Sequence, residues 1–372
     1  EIAMSDWSSD VCSSDLDDSI KTYKCPNCGA ALTFDSKTQK LHCSHCDTSI
    51  DVEAMKALSD TPSGTDQDNA RWNTSDAGSN WSSGEQQGMR SYHCPTCGAE
   101  LVTDETTAAS TCAYCGSPVV LSDHLSGAKR PNYVIPFKVD KKTAKETLKN
   151  FYKGKIFLPR AFSAENHLEE ISGIYVPFWL YSCESKGSFS FDATRTHHYT
   201  DGDYDVTETE HYLVLRDGEA RFNNIPVDGS SKMDDAYMDA IEPFDYSAIT
   251  DFHTDYLPGY AAQTYDEDAT ACAPRATARV KNTTVAAIRR TCDYTTLTPR
   301  TSKISTTQNS VDYALLPVWM LTTNWHGKSY HFAINGQTGK LIGDLPIDKG
   351  RFFGLLAGIT IPLGILLKLF IF

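Results

Sequence analysis

Residues 92–116 read YHCPTCGAELVTDETTAASTCAYCG, and this stretch decides what kind of chain this is. It carries the frame Cys94-x2-Cys97-x14-Cys112-x2-Cys115. The same frame occurs earlier as Cys25-x2-Cys28-x14-Cys43-x2-Cys46, every cysteine 69 positions before its counterpart. The flanks repeat as well, YKCPNCGAAL against YHCPTCGAEL. Two CxxC pairs about 15–20 residues apart have the spacing of a four-thiolate zinc site. Each pair bends into a knuckle that aims two sulfurs at one ion, and the hairpin between the pairs returns the second knuckle to complete a tetrahedron. Gly29, Gly98 and Gly116 follow knuckle cysteines, where positive φ is useful. Asp47 holds the fourth such place and tolerates that conformation fairly well. The expected cofactors are two zinc ions, and iron fits the same thiolates. Four protein thiolates close the coordination shell, so each site reads as structural. A ribbon of about 30 residues is too small for a core of its own and draws folding energy from its metal.

The rest of the chain divides by composition. Residues 6–16 read DWSSDVCSSDL, which resembles the translation of a sequencing-adapter oligonucleotide. Residues 1–16 are therefore expected to be an artefact outside the fold. Ribbon one is expected over 21–50 and ribbon two over 92–121. Residues 59–91, rich in Ser, Gly, Asn, Asp and Thr, read as a flexible linker in which Trp72 and Trp81 are exposed. From 130 to 346 the composition is globular and implies an α+β domain with an antiparallel sheet. Asp140 is placed to cap a helix reaching Tyr152, with Ala144, Leu148 and Phe151 on one face. GIYVPFWLYSC (173–183) is a continuous apolar strand. Period-2 alternation over 187–227 predicts antiparallel strands turning at Asp201-Gly202 and again at Asp217-Gly218. Helices are expected over 234–240 and over 266–292 with Pro274 inside. Strands return over 302–342, the last two joined by NGQTG. Three strands carry proline after apolar residues: VIPF, YVPFW and LLPVW. Proline lacks a ladder donor, so each is expected at an edge, a start or a bulge.

Residues 352–372, FFGLLAGITIPLGILLKLFIF, hold one charge, Lys368. About 20 apolar residues span a bilayer as a helix. Lys349 and Arg351 precede the segment, and basic flanks face the cytoplasm. A single-pass cell-membrane protein with its N-terminal bulk cytoplasmic is the expectation. A reducing compartment agrees with eight metal thiolates and no disulfide framework. The remaining cysteines, Cys183, Cys272 and Cys292, have no metal spacing and read as small buried hydrophobes.

The formal net charge is −14, and −10 without the four acids of residues 1–16. An acidic chain is a poor general binder of phosphate backbones. No GxxxxGK[ST], HExxH, GxSxG or GxGxxG motif occurs. His197, His198, Glu210 and His211 fall on adjacent expected strands, where a polar sheet face is favoured over a second metal site.

The tandem CPxCG ribbons, IYVPFWLY, NGQTGKLIGDLP and the apolar C-terminal segment together resemble bacterial TFIIB-type zinc-ribbon-containing membrane proteins over roughly 21–372. Some relatives of that kind carry the label of a primosomal replication-restart helicase. The missing phosphate-binding loop argues against that activity here. The expected role is a non-enzymatic, membrane-anchored adaptor that engages a protein partner through its ribbons. The alternatives are nucleic-acid binding by the ribbons and an unrecognised enzyme within 130–346.

Overall fold

The computed structural model describes residues 32–44, 49–52, 71–104, 107, 109, 111–122, 128–159, 162, 168 and 170–371. They divide between two compact units. One takes 184–221 and 280–307 together with the described part of 1–70; the other takes 71–183, 222–279 and 308–372.

In the first unit, β1 (Thr33–Asp35), β2 (Lys40–His42) and β3 (Ser49–Asp51) form a three-stranded antiparallel sheet. Leu41 and Ile50 face inward while Phe34 is 54% exposed. The unit also holds the distal parts of β8 (Ser172–Asp201) and β9 (Tyr204–Asp228). Phe189, Phe191, Ala193, Val214 and Ile288 form its core. Here one expectation is corrected. Gly202 (φ +60°) turns the chain, but Asp217-Gly218 makes no turn and lies within β9. A Cβ on Gly218 would collide with Ile288, so this glycine serves close packing of a helix on the strand.

The second unit is built on a larger sheet. Its order is β10 (Thr250–Asp251), β7 (Tyr133–Val134), β12 (Thr296–Trp325), β8, β11 (Ala261–Gln263), β5 (Glu100–Asp104), β4 (Met89–His93) and β6 (Val120–Ser122), with β13 (Lys328–Asn335) and β14 (Leu341–Gly343) added beyond β12. Most pairs are antiparallel, but β7–β12 and β8–β11 are parallel. The apolar runs are continuous because these strands are covered on both faces. Along β8, Ile174, Val176, Phe178 and Leu180 enter one cluster, while Tyr175, Trp179 and Tyr181 enter another. Along β12, Val311, Tyr313 and Leu315 join the second of these and Ala314, Leu316 and Val318 the first. Neither β8 nor β12 is an edge strand, although each carries one of the motif prolines. Pro177 and Pro317 still use their carbonyls, accepting from Gly229 N–H at 2.9 Å and Gly336 N–H at 2.8 Å.

The helices start where side chains can take up free N–H groups. Asp140 accepts from Thr143 N–H at 2.8 Å at the head of α2 (Lys141–Tyr152), whose Ala144, Leu148 and Tyr152 are buried. Asp268 accepts from Thr270 and Ala271 N–H at the head of α4 (Ala269–Arg290), and Asp234 caps α3 (Asp235–Ala240). In the second unit Arg275 of α4 pairs with Asp228 at 2.9 Å.

Residues 71–91 were expected to complete a flexible linker and instead pack. Trp72 donates to Thr277 Oγ1 at 3.0 Å and meets Tyr181 edge-on. Trp81 donates to the Ala128 carbonyl at 2.9 Å and meets Phe252. A capping box on Ser82 and Glu85 opens α1 (Ser83–Gln87), and Arg130 pairs with Glu85 at 2.9 Å. Few aliphatics are needed, because two indoles supply the buried area.

Asp228 gives the fold a pH dependence. Its side chain is fully buried, and its Oδ2 has no hydrogen-bond partner among the described residues. Burial pushes the carboxyl up to about 6, against the opposing pull of Arg275. The stability it contributes is fully present below the unfolded value of 3.8 and is lost as pH rises towards about 6. That loss is roughly 3 kcal/mol. Asp228→Asn, which keeps an acceptor for Arg275, is expected to flatten this part of the curve in urea unfolding. An unchanged slope would assign the effect elsewhere.

Candidate metal centre

The second cysteine frame folds as its spacing requires. In the first knuckle Gly98 N–H donates to the Cys94 carbonyl at 2.9 Å, and Cys94 N–H to the Ala99 carbonyl at 2.8 Å. In the second, Gly116 N–H donates to Cys112 and Cys112 N–H to Ser117, both at 2.8 Å. Gly98 and Gly116 each have φ +72°. A Cβ on Gly116 would meet nothing within 4 Å, so conformation rather than space requires glycine there.

The four sulfurs of Cys94, Cys97, Cys112 and Cys115 lie within 4.8 Å of one another. Cys94 Sγ is 3.5 Å from Cys115 Sγ, and Cys97 Sγ is 3.6 Å from Cys112 Sγ. A disulfide would need about 2.05 Å. A tetrahedron with metal–sulfur bonds of about 2.3 Å has edges of about 3.8 Å. The geometry therefore suits one four-coordinate metal ion. Cys94 and Cys112 are buried, and Cys97 and Cys115 half-buried. Burial raises the Cys97 and Cys112 thiols. Burial also acts on Cys115, but hydrogen bonds from Ser117, Cys94 and Cys97 together outweigh it and bring that thiol down to about 7. Lys232 stands by the first knuckle, its Nζ 3.9 Å from a Cβ built on Gly98. Its bond to Asp266 at 2.8 Å, and then the charge of the cysteines, hold its ammonium above the ordinary value.

This ribbon is part of the large sheet. Its strand β5 pairs with β11, Ala262 opposite Val102 and Gln263 opposite Leu101. Tyr114, between the two cysteines of the second knuckle, is buried and donates to Gln263 Oε1; Gln263 in turn donates to Ser230 Oγ at 2.6 Å. Thr322 Oγ1 donates to the Ala113 and Tyr114 carbonyls at 3.1 and 2.8 Å. The signal for this lay in the difference between the repeats. The 69-residue offset sets Tyr114 against His45 and buried Thr103 against exposed Phe34.

For the first frame, Cys43 is buried, and Cys25, Cys28 and Cys46 lie outside the described residues. His197 Nε2 stands 4.0 Å from Glu210 Oε2 and His198 Nδ1 2.9 Å from Thr207 Oγ1, all of them side chains of an exposed ladder. Among the described residues only the four cysteines of ribbon two gather as a metal-binding group. Cys272 is buried and pushed up to about 12 by burial, and Cys183 to about 11, as befits small core residues.

In the same unit, α5 (Lys349–Ile371) is long and apolar enough to cross a membrane, and none of its Lys349–Leu366 stretch is buried.

No family model matches the chain, and no solved structure matches it. The uncharacterized protein YdjG of Bacillus subtilis (strain 168) is 36% identical over 342 residues, which cover 92% of this chain and 94% of that protein. With likeness along nearly the whole of both sequences, the chain belongs to the family of YdjG.

Proposed function

We propose that this protein is a non-enzymatic adaptor, anchored in the cell membrane by α5 and engaging a protein partner in the cytoplasm through its metal-stabilised ribbon. The metal is zinc, one ion in each cysteine frame. A closed shell of four thiolates supports a structural ion over a catalytic one. The observation that carries the adaptor reading is the edge of ribbon two. Strand β6 pairs with β4 and is last in the strand order. Val120 and Leu121 on it are 59% and 58% exposed. A terminal strand with exposed apolar side chains fits a partner that adds a strand of its own.

The test is purification of the full chain from its native membranes, beside a variant carrying Val120→Lys and Leu121→Lys. Stoichiometric partners are expected with the unchanged chain and are expected to be lost from the variant. The same partners on both chains would sink the reading. Retention in the pellet after an alkaline carbonate wash tests the anchor, and metal analysis of the purified chain tests for zinc.

A further inference from the structure

The start of α5 does not leave the unit on a free tether. Asp348 N–H donates to the Phe157 carbonyl at 2.8 Å, and Arg351 Nη1 donates to the Leu158 carbonyl at 2.8 Å. The Phe157 and Phe352 rings meet edge-on at 5.5 Å. These three contacts hold the turn after α2, residues 153–157, beside the first helical turn of α5. The turn is itself bonded, Ile156 N–H to the Gly154 carbonyl and Leu158 N–H to the Lys155 carbonyl.

What the turn presents is unusual for this chain. Ile156, in the clamped turn, and Ile347, two residues before α5, are each 64% exposed. Lys153, Lys155, Lys349 and Arg351 are exposed around them. The one acid in these two segments, Asp348, accepts from Arg351 N–H at 3.1 Å and pairs with the Arg351 guanidinium at 3.5 Å. The patch is thus basic and apolar in a chain of net charge −14.

We propose that the 153–157 turn and Ile347, clamped to the first turn of α5, form a collar that seats the unit on an anionic lipid surface. This rests on the reading of α5 as a membrane anchor. A helix of this length, once inserted, has its first turn at headgroup depth. Groups held against that turn share its depth. Isoleucine side chains there enter the acyl boundary, and lysines meet lipid phosphates, each worth about fivefold in affinity. Its attachment to the base of the inserted helix, together with its positive charge, commits this surface to anionic lipid. The collar would hold the adaptor edge at a set height above the bilayer.

The experiment uses the full chain carrying Ile156→Trp, reconstituted in vesicles whose acyl chains are brominated near the headgroup. One set is phosphatidylcholine alone and the other contains phosphatidylglycerol. The fluorescence added by the introduced indole, over that of the unchanged chain, is expected to be quenched more strongly with phosphatidylglycerol. Adding Lys153→Glu and Lys155→Glu is expected to return it to the neutral-vesicle level. All three sites are exposed, so circular dichroism should report an unchanged fold. Equal quenching in both lipids, or no lipid quenching in a chain that resists carbonate extraction, overturns the collar while leaving the anchor standing. Shielding of the introduced indole from aqueous acrylamide without lipid quenching also overturns it and assigns the patch to a protein. A chain extracted by carbonate fails at the anchor instead.

Discussion

Cys112→Ser is expected to cost one equivalent of bound metal and to lower the melting temperature of the whole large-sheet unit by about 10 °C. The figure follows from the ion's hold on the folded state. A metal present at a thousand times its dissociation constant stabilises by about 4 kcal/mol, and a domain of this size loses roughly 2–4 °C per kcal/mol. The effect reaches the whole unit because the knuckles do not stand apart from it. Cys112 and Tyr114 lie in the same cluster as Leu101, Phe178 and Leu316. Strand β5 lies between β4 and β11 in one ladder. Releasing the ion would free the second knuckle, withdraw Tyr114 from Gln263, and leave Thr322 without its two carbonyl partners. Metal analysis together with calorimetry of the detergent-solubilised chain measures both quantities. A variant that lost its metal and melted where the unchanged chain melts would make the ribbon energetically separate from the sheet it pairs with.

Asn335→Ala is expected to destabilise the same unit by about 3–5 kcal/mol, as several buried groups lose their partners at once. Asn335 is completely buried. Its Nδ2 donates to the Ile241 and Pro243 carbonyls at 3.0 and 3.2 Å, and its Oδ1 accepts from Gln337 and Thr338 N–H, both at 2.9 Å. Gln337 continues the clasp, exchanging hydrogen bonds with the Asp245 backbone at 2.7 and 2.9 Å. The NGQTG stretch is therefore more than a turn between β13 and β14. It holds the segment after α3 against the end of the sheet. Asn335→Asp should cost at least as much, since a carboxylate would face two carbonyl oxygens. Denaturant titration at constant m-value reads the change. A loss below about 1 kcal/mol would show that water takes over these bonds.

The limits of sequence reading appear in the same residues. The NGQTG turn was legible, but its grip on Ile241 and Pro243 was not, because those residues lie about ninety positions away and carry no pattern of their own. Asp217-Gly218 has turn chemistry, yet the strand runs straight through it, since the glycine answers to Ile288 across a packed interface. Residues 71–91 have the composition of a linker, and two tryptophans were enough to fold them down.

By itself, the sequence determined what depends on short spacing. The CxxC frame brought Cys94, Cys97, Cys112 and Cys115 together, and Asp140 set the start of α2. The apolar run became one long helix, with none of its Lys349–Leu366 stretch buried. In each case the interacting groups lie within one hairpin or one helix, where chain geometry leaves few arrangements. The tertiary structure alone decided that ribbon two belongs to the large sheet, that Asp228 is buried beside Arg275, and that a basic turn is clamped to the base of α5. Each of these joins residues from about 47 to nearly 200 positions apart. Such contacts are chosen by which apolar faces bury each other best, and no local pattern in the chain records that choice.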